Sequence, residues 1–254
     1  MSDEVLISHD DGVLTVTINR PAARNAIDRA TALSIAQAVA ELDSRDDLRV
    51  GILTGTHGNF SAGMDLKALL RGESSHVEHR GFGGLVQAPP AKPLIAAVEG
   101  YALGGGFEMA LSCDLIVAAD DARFGLPEVK RGLIAAGGGA MRLPRQMPPR
   151  VAMELILTGE MMSAETALRF GLINRVVPKG TALDGARALA RSIAANGPLA
   201  VMATKRIVYE SADWPAEERF QRQREITAPV HASGDAREGA RAFAEKRAPV
   251  WRGV

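Results

Sequence analysis

The sequence predicts an α/β fold with substantial parallel strand pairing, on two observations. Apolar runs of strand length alternate with helix-period segments through about residue 180, and beyond Gly180 only helical periodicity remains. The opening reads as a β-hairpin: Val5-Leu6-Ile7, a turn at Asp10-Asp11-Gly12, then the alternating Val13 to Ile18. Ala32, Ile35, Val39 and Leu42 follow at helical spacing. Val50 to Thr54, Leu94 to Val98 and Leu115 to Ala119 are apolar enough for buried strands. Arg71 to Ala91 is polar and broken by Gly83-Gly84 and Pro89-Pro90, which predicts a mobile, pocket-shaping loop with a short helix. Helices are predicted over 182–195, 199–211, 216–230 and 236–246. Their amphipathic pattern requires a partner, either the core or another subunit. The expected division is therefore a core over 1–180 and a helical region over 181–254, serving oligomerisation and active-site closure.

Composition removes several function classes. The 254 residues carry 30 Lys plus Arg and 30 Asp plus Glu, so no electrostatic footprint for nucleic acid or an anionic membrane exists. The one cysteine, Cys113, excludes an intrachain disulfide and fits a reducing, cytoplasmic setting. Met1-Ser2-Asp3-Glu4 is acidic and lacks the apolar stretch of a signal peptide. The most apolar region, Leu94 to Ala119, is interrupted by Glu99, Glu108 and Asp114, which argues against a membrane span. His76 and His79 have metal-pair spacing but no third ligand nearby, so no metal is expected.

The chemistry-bearing residues are two glutamates. Glu108 ends the run Gly100-Tyr101-Ala102-Leu103-Gly104-Gly105-Gly106-Phe107-Glu108, and Glu128 closes Phe124-Gly125-Leu126-Pro127-Glu128, with the apolar strand 115–119 between them. Two carboxyls in an apolar setting have their pKa values pushed apart, so that one gives and one takes a proton. The triple glycine lacks G-x-G-x-x-G spacing, Ser61 lacks a G-x-S-x-G frame, and no Walker sequence is present.

Three segments together resemble the crotonase (enoyl-CoA hydratase/isomerase) superfamily: Phe60-Ser61-Ala62-Gly63-Met64-Asp65-Leu66-Lys67, the Gly100 to Glu108 run with Cys113-Asp114, and the Phe124 to Glu128 run. Asn19-Arg20-Pro21 and Phe243-Ala244-Glu245-Lys246-Arg247 match in order, so the resemblance covers nearly the whole chain. It implies a spiral of ββα units with a C-terminal helical trimerisation region, assembled as a homotrimer or a dimer of trimers. It also implies an acyl-CoA thioester substrate, with coenzyme A part of that substrate and no separate cofactor. The implied reaction is reversible hydration of a trans-2-enoyl-CoA to the 3-hydroxyacyl-CoA.

By the same resemblance, Glu108 holds the water at Cβ, Glu128 exchanges the proton at Cα, and the N–H groups of Met64 and Gly105 form the oxyanion hole. Ala62, Gly63, Asp65 and Leu66 curve around the adenine of coenzyme A; Asp65 is either a ligand or an N-cap. Arg24 is either a phosphate contact or a solvated side chain. Phe243 and Lys246, three apart on a predicted helix, match residues that touch the coenzyme A of a neighbouring subunit; intramolecular packing is the alternative. Where the family shows Gly-x-x-Pro-Gly, this chain has Ala135-Ala136, and Ala136 supplies an N–H for the water only if its φ is negative. Phe107 to Leu111, Leu126 to Lys130 and Phe243 to Trp251 are especially similar to the carnitinyl-CoA (crotonobetainyl-CoA) dehydratase branch. Isomerisation or thioester hydrolysis on the same scaffold, and a non-catalytic acyl-CoA-binding oligomer, are the alternative readings.

Overall fold

The computed structural model describes residues 4–254; the acidic start read at Met1 to Asp3 lies outside them. The hairpin forms as expected, β1 (Val5–Asp10) antiparallel to β2 (Val13–Ile18). Then come α1 (Arg29–Ser44), β3 (Val50–Gly55), α2 (Leu66–Leu70), β4 (His76–Val77), β5 (Gly81–Phe82), β6 (Leu94–Val98), β7 (Tyr101–Leu103), α3 (Gly105–Ser112), β8 (Leu115–Ala119) and β9 (Arg123–Gly125). They are followed by α4 (Gly139–Gln146), α5 (Pro149–Thr158), β10 (Met161–Ser163), α6 (Ala164–Arg169), β11 (Arg175–Val177), α7 (Ala182–Ala194), α8 (Pro198–Glu210), α9 (Arg219–Ala232) and α10 (Gly234–Ala244).

The large sheet has the order β1-β2-β3-β6-β8-β11, parallel from β2 onward. A small sheet, β10-β9-β7, stands apart from it. The chain steps from large to small sheet at β6-β7 and again at β8-β9, each step ending in helix. This repetition is the ββα spiral expected from the resemblance.

Both faces of the central strands β3, β6 and β8 are buried, which is why these read as continuous apolar runs. Leu14, Val16, Leu53, Ala96, Val98, Ile116 and Ala118 face one cluster, with α1 and α3. Val13, Val50, Ile52, Ile95, Ala97 and Val117 face the other, against Ala182, Ala186 and Ala190 of α7. Those three alanines, spaced by four, let α7 lie close on the sheet. Helix α7 is thus one of the C-terminal helices that pack on the core.

Residues 71–91 correct the expectation of a mobile loop with a helix. They form the β4-β5 hairpin and turns, and Phe82, Leu85 and Val86 are at most 2% exposed within the main core. Helix α8 is fastened to the sheet by Lys205, whose ammonium donates to the Asp114 carboxylate at 2.7 Å and to the carbonyls of Pro90 and Lys92. Removing one partner of this part-buried pair leaves Asp114 poorly compensated, so Lys205→Met is expected to cost about 1.5–3 kcal/mol in urea unfolding. Arg206→Met, at the exposed pair with Glu210 on the same helix, should cost about 0.3–0.5 kcal/mol. Equal losses would remove the clasp role. Among the described residues no helix is long and apolar enough to cross a membrane, and no cluster of three or more His, Cys, Asp or Glu side chains is placed to hold a metal.

Candidate active site

Backbone pairing assembles the site. Strands β7 and β9 run parallel with Leu103 opposite Gly125, and the Gly104 N–H donates to the Gly125 carbonyl at 2.9 Å. The turns leaving the two strands therefore lie side by side. One enters α3 and carries Glu108; the other is a 3-10 turn, Pro127–Arg131, carrying Glu128. The Phe107 and Phe124 rings, 5.4 Å apart, pack the two segments together from behind.

The loop at Ser61 joins the same corner. Ser61 bridges Ala102, and its hydroxyl donates to the Asn25 carbonyl while accepting the Gly63 N–H. Ile27 donates to the Gly63 carbonyl and accepts from the Asp65 N–H, so both neighbours of Met64 turn inward. Alternation along an extended segment then points the Met64 N–H the opposite way, and no partner takes it among the described residues. Gly105 is the first residue of α3, where helical amides have no carbonyl within the helix. A Cβ on Gly63 would lie 3.0 Å from the Gly105 nitrogen, and one on Gly106 only 2.4 Å from the Ser61 carbonyl oxygen. The structure thus brings Met64 and Gly105 together, their N–H groups without partners among the described residues and Gly105 at a helix N-terminus that favours developing negative charge.

The two carboxyls meet different surroundings. Glu108 is 4% exposed, and its Oε1 accepts the Gly139 N–H at 2.8 Å. A Cβ on Gly137 would lie 2.5 Å from Glu108 Oε2, so a glycine cradle holds this carboxylate. Glu128 Oε1 lies beside Gly104, and its Oε2 is buried without a hydrogen-bond partner. Burial raises both above the ordinary carboxylate range, and the charge of Glu128 adds to the rise at Glu108. The amides of Gly139 and Gly137 and the Arg142 guanidinium oppose the rise at Glu108; the backbone amide of Glu128 itself, and then Arg131, oppose it at Glu128. Glu108 is therefore the better-supported anion and Glu128 the better-supported acid.

Raised carboxyls bind protons more tightly folded than unfolded, so they cost stability as pH climbs from the ordinary value of 4.5 through the folded one. Glu128→Gln is expected to melt above the wild type at about pH 8, the gap closing below about pH 4. An unchanged or lowered melting temperature at alkaline pH would refute this.

The other expected residues fall as follows. Asp65 is the N-cap of α2, its Oδ1 accepting from Lys67 and Ala68 while Oδ2 pairs with Arg20 at 3.0 Å. Burial alone would raise its carboxyl, but the Ala68 amide and Arg20 outweigh that and hold it below its ordinary value. Arg20 also pairs with Asp28 and Glu4, an anchor that sequence reading noted only as part of Asn19-Arg20-Pro21. Arg24 is exposed, and its carbonyl accepts the Ala62 N–H, which sets it beside the Ala62 to Leu66 turn.

Two expectations change. The Ala136 N–H donates to the Ile134 carbonyl at 2.8 Å, so it does not face the water; the amides turned to Glu108 are those of Gly137 and Gly139. Lys246 does not share a helical face with Phe243: α10 ends at Ala244, and Lys246 follows at φ 54°. Phe243 stands 88% exposed. Neither residue hydrogen-bonds or ion-pairs with the glutamate-bearing segments among the described residues.

Residues 8–254 match the enoyl-CoA hydratase/isomerase family. A carnitinyl-CoA dehydratase of Salmonella typhi is 43% identical over 262 aligned positions, covering all of both chains. The solved structure of an enoyl-CoA hydratase from Mycobacterium marinum superposes with TM-score 0.98 at 56% identity, again over all of both chains. A carnitinyl-CoA hydratase structure from Mycobacterium avium covers both chains fully with TM-score 0.81 and 44% identity.

Proposed function

The chain belongs to the enoyl-CoA hydratase/isomerase family, and on that premise we propose that it adds water across the double bond of a trans-2-enoyl-CoA, or removes it from the 3-hydroxyacyl-CoA. The observation carrying this reading is the contrast between an amide-held, buried carboxyl and a half-buried one with a buried, unpartnered Oε2, beside two N–H groups without partners among the described residues. The thioester carbonyl accepts from Met64 and Gly105, whose N–H groups stabilise the charge that develops there. Glu108 takes a proton from water as its oxygen bonds to Cβ. The electron pair of the double bond moves through Cα to the carbonyl, and Glu128 then delivers a proton to Cα. A turnover leaves Glu108 protonated and Glu128 ionised, and exchange with solvent restores both. This proton chemistry calls for no redox group or metal, coenzyme A being part of the substrate.

Retention of both carboxyls favours hydration over isomerisation or hydrolysis. The names of the Salmonella typhi and Mycobacterium avium relatives favour a second substrate, a crotonobetainyl-CoA carrying a charged acyl group. Helices α8 and α9 bury none of their residues in one chain, and Val208, Phe220 and Phe243 stand largely exposed. That supports a homotrimer or dimer of trimers, in which Phe243 and Lys246 reach a neighbour's coenzyme A. The single cysteine, buried at Cys113 with its thiol pushed well up by burial, supports a cytoplasmic setting. The test is a panel of enoyl-CoAs, including crotonobetainyl-CoA, followed by loss of conjugated-thioester absorbance with product analysis. Hydroxyacyl product supports hydration; free coenzyme A or a displaced double bond as sole product would replace it with hydrolase or isomerase.

A further inference from the structure

One half-buried cation near the glutamates has no role in the reaction as drawn. Arg142 lies in the first turn of α4, and its guanidinium forks between two walls of the site. Nη1 donates to the Gly137 carbonyl at 3.3 Å, and Nη2 donates to the Val86 carbonyl. Gly137 belongs to the loop whose amides meet the Glu108 carboxylate. Val86 belongs to the buried 82–86 segment, and a Cβ on Gly105 would strike the Phe82 ring of that segment at 2.4 Å. One planar side chain therefore ties the loop that cradles Glu108 to the segment backing the Gly105 N–H. Beyond it opens a cavity of about 720 Å³ that also borders Leu111, Ser112, Lys205 and Tyr209.

We propose that Arg142 is a positioning residue for hydration, fixing the Gly137–Gly139 amides against Glu108. The assignment rests on the proposed hydration reading. Electrostatics agree with the geometry. Burial raises the Glu108 carboxyl and lowers the Arg142 guanidinium, while each charge favours the ionised form of the other. The remaining charged or titratable groups facing the pair are Glu128 on the Glu108 side and Tyr209 and Cys113 on the Arg142 side. Lysine would keep the charge but cannot fork between two carbonyls in one plane.

The experiment compares Arg142→Met and Arg142→Lys with the wild type through the pH dependence of kcat/KM. Arg142→Met should lower kcat by about 10²-fold through misplaced groups. It should also move the acidic limb to higher pH, because Glu108 loses a neighbouring positive charge. Arg142→Lys should leave that limb in place, lower kcat by about tenfold and leave KM for the CoA substrate unchanged, since only the fork is lost. A folded Arg142→Met enzyme with an unmoved acidic limb overturns the proposal, because a purely structural arginine would affect stability alone. Should Arg142→Met not fold, Arg142→Lys decides: wild-type kcat there overturns the proposal equally. Failure of the hydration reading is distinguishable, because the wild type would then hydrate no enoyl-CoA in the panel.

Discussion

Glu128→Gln is expected to lower kcat for enoyl-CoA hydration by about 10²–10⁴-fold, and Glu108→Gln by a similar factor. Glutamine keeps the size of the side chain and leaves an oxygen to accept the Gly139 N–H at position 108. What it removes is the capacity to take up or release a proton. Because water activation and protonation at Cα belong to one addition, the losses should not sum, and the double variant should be little slower than the weaker single one. Steady-state rates on a single enoyl-CoA, with circular dichroism confirming the fold, check both statements. A Glu128→Gln enzyme with more than about half the original kcat would exclude the general-acid role.

Replacing the Met64 amide by a backbone ester is expected to lower kcat by about 10²–10³-fold, the usual loss for one oxyanion donor. The structure explains why only the backbone should matter. The Ile27 N–H donates to the Gly63 carbonyl and the Asp65 N–H to the Ile27 carbonyl, which holds the segment on either side, so the Met64 N–H keeps its aim whatever side chain stands there. Met64→Ala should accordingly stay within a few-fold of wild type, with any change confined to acyl-chain preference. Met64→Pro removes the same donor but also fixes φ near −65°, so the ester, made by semisynthesis, is the cleaner comparison. Near-wild-type hydration by a folded ester variant would show that the thioester charge is held elsewhere.

The hairpin, α1 and the three central strands were legible because their apolar residues follow simple periods and both sheet faces are buried. The glutamate pair was legible through its glycine-bearing approaches. Other features were hidden because they depend on three-dimensional contact. Polar residues and glycines around 71–84 masked the fact that Phe82, Leu85 and Val86 enter the core. Helix α7 was read as packing on the core or on another subunit, and its Ala182-Ala186-Ala190 stripe seats it on the sheet. Ala136 was read as a water-holding amide from its place in the motif, but its N–H turns to Ile134 while Gly137 and Gly139 face Glu108. Lys246 was placed on a helix that ends two residues before it, the spacing of Phe243 and Lys246 giving no sign of the left-handed residue. Arg142, one of many arginines in the chain, showed no distinguishing signal at all.

The interlocked approach of the Ser61 loop and α3 has a consequence for how such a protein can diversify. On the proposed mechanism the groups that hold the thioester are main-chain atoms, and the genetic code can alter them only through residues that distort the chain. Met64 can drift among side chains with little effect. Gly63, at φ 90°, and Gly106, facing the Ser61 carbonyl, cannot gain a methyl without forcing two segments about forty residues apart to move together. Inherited variation is thereby channelled away from the carbonyl grip and toward the side-chain surfaces around Leu70, Leu133 and Ile134, which are open to exchange. A lineage built on this scaffold would change its exposed side chains long before it changed these two glycines.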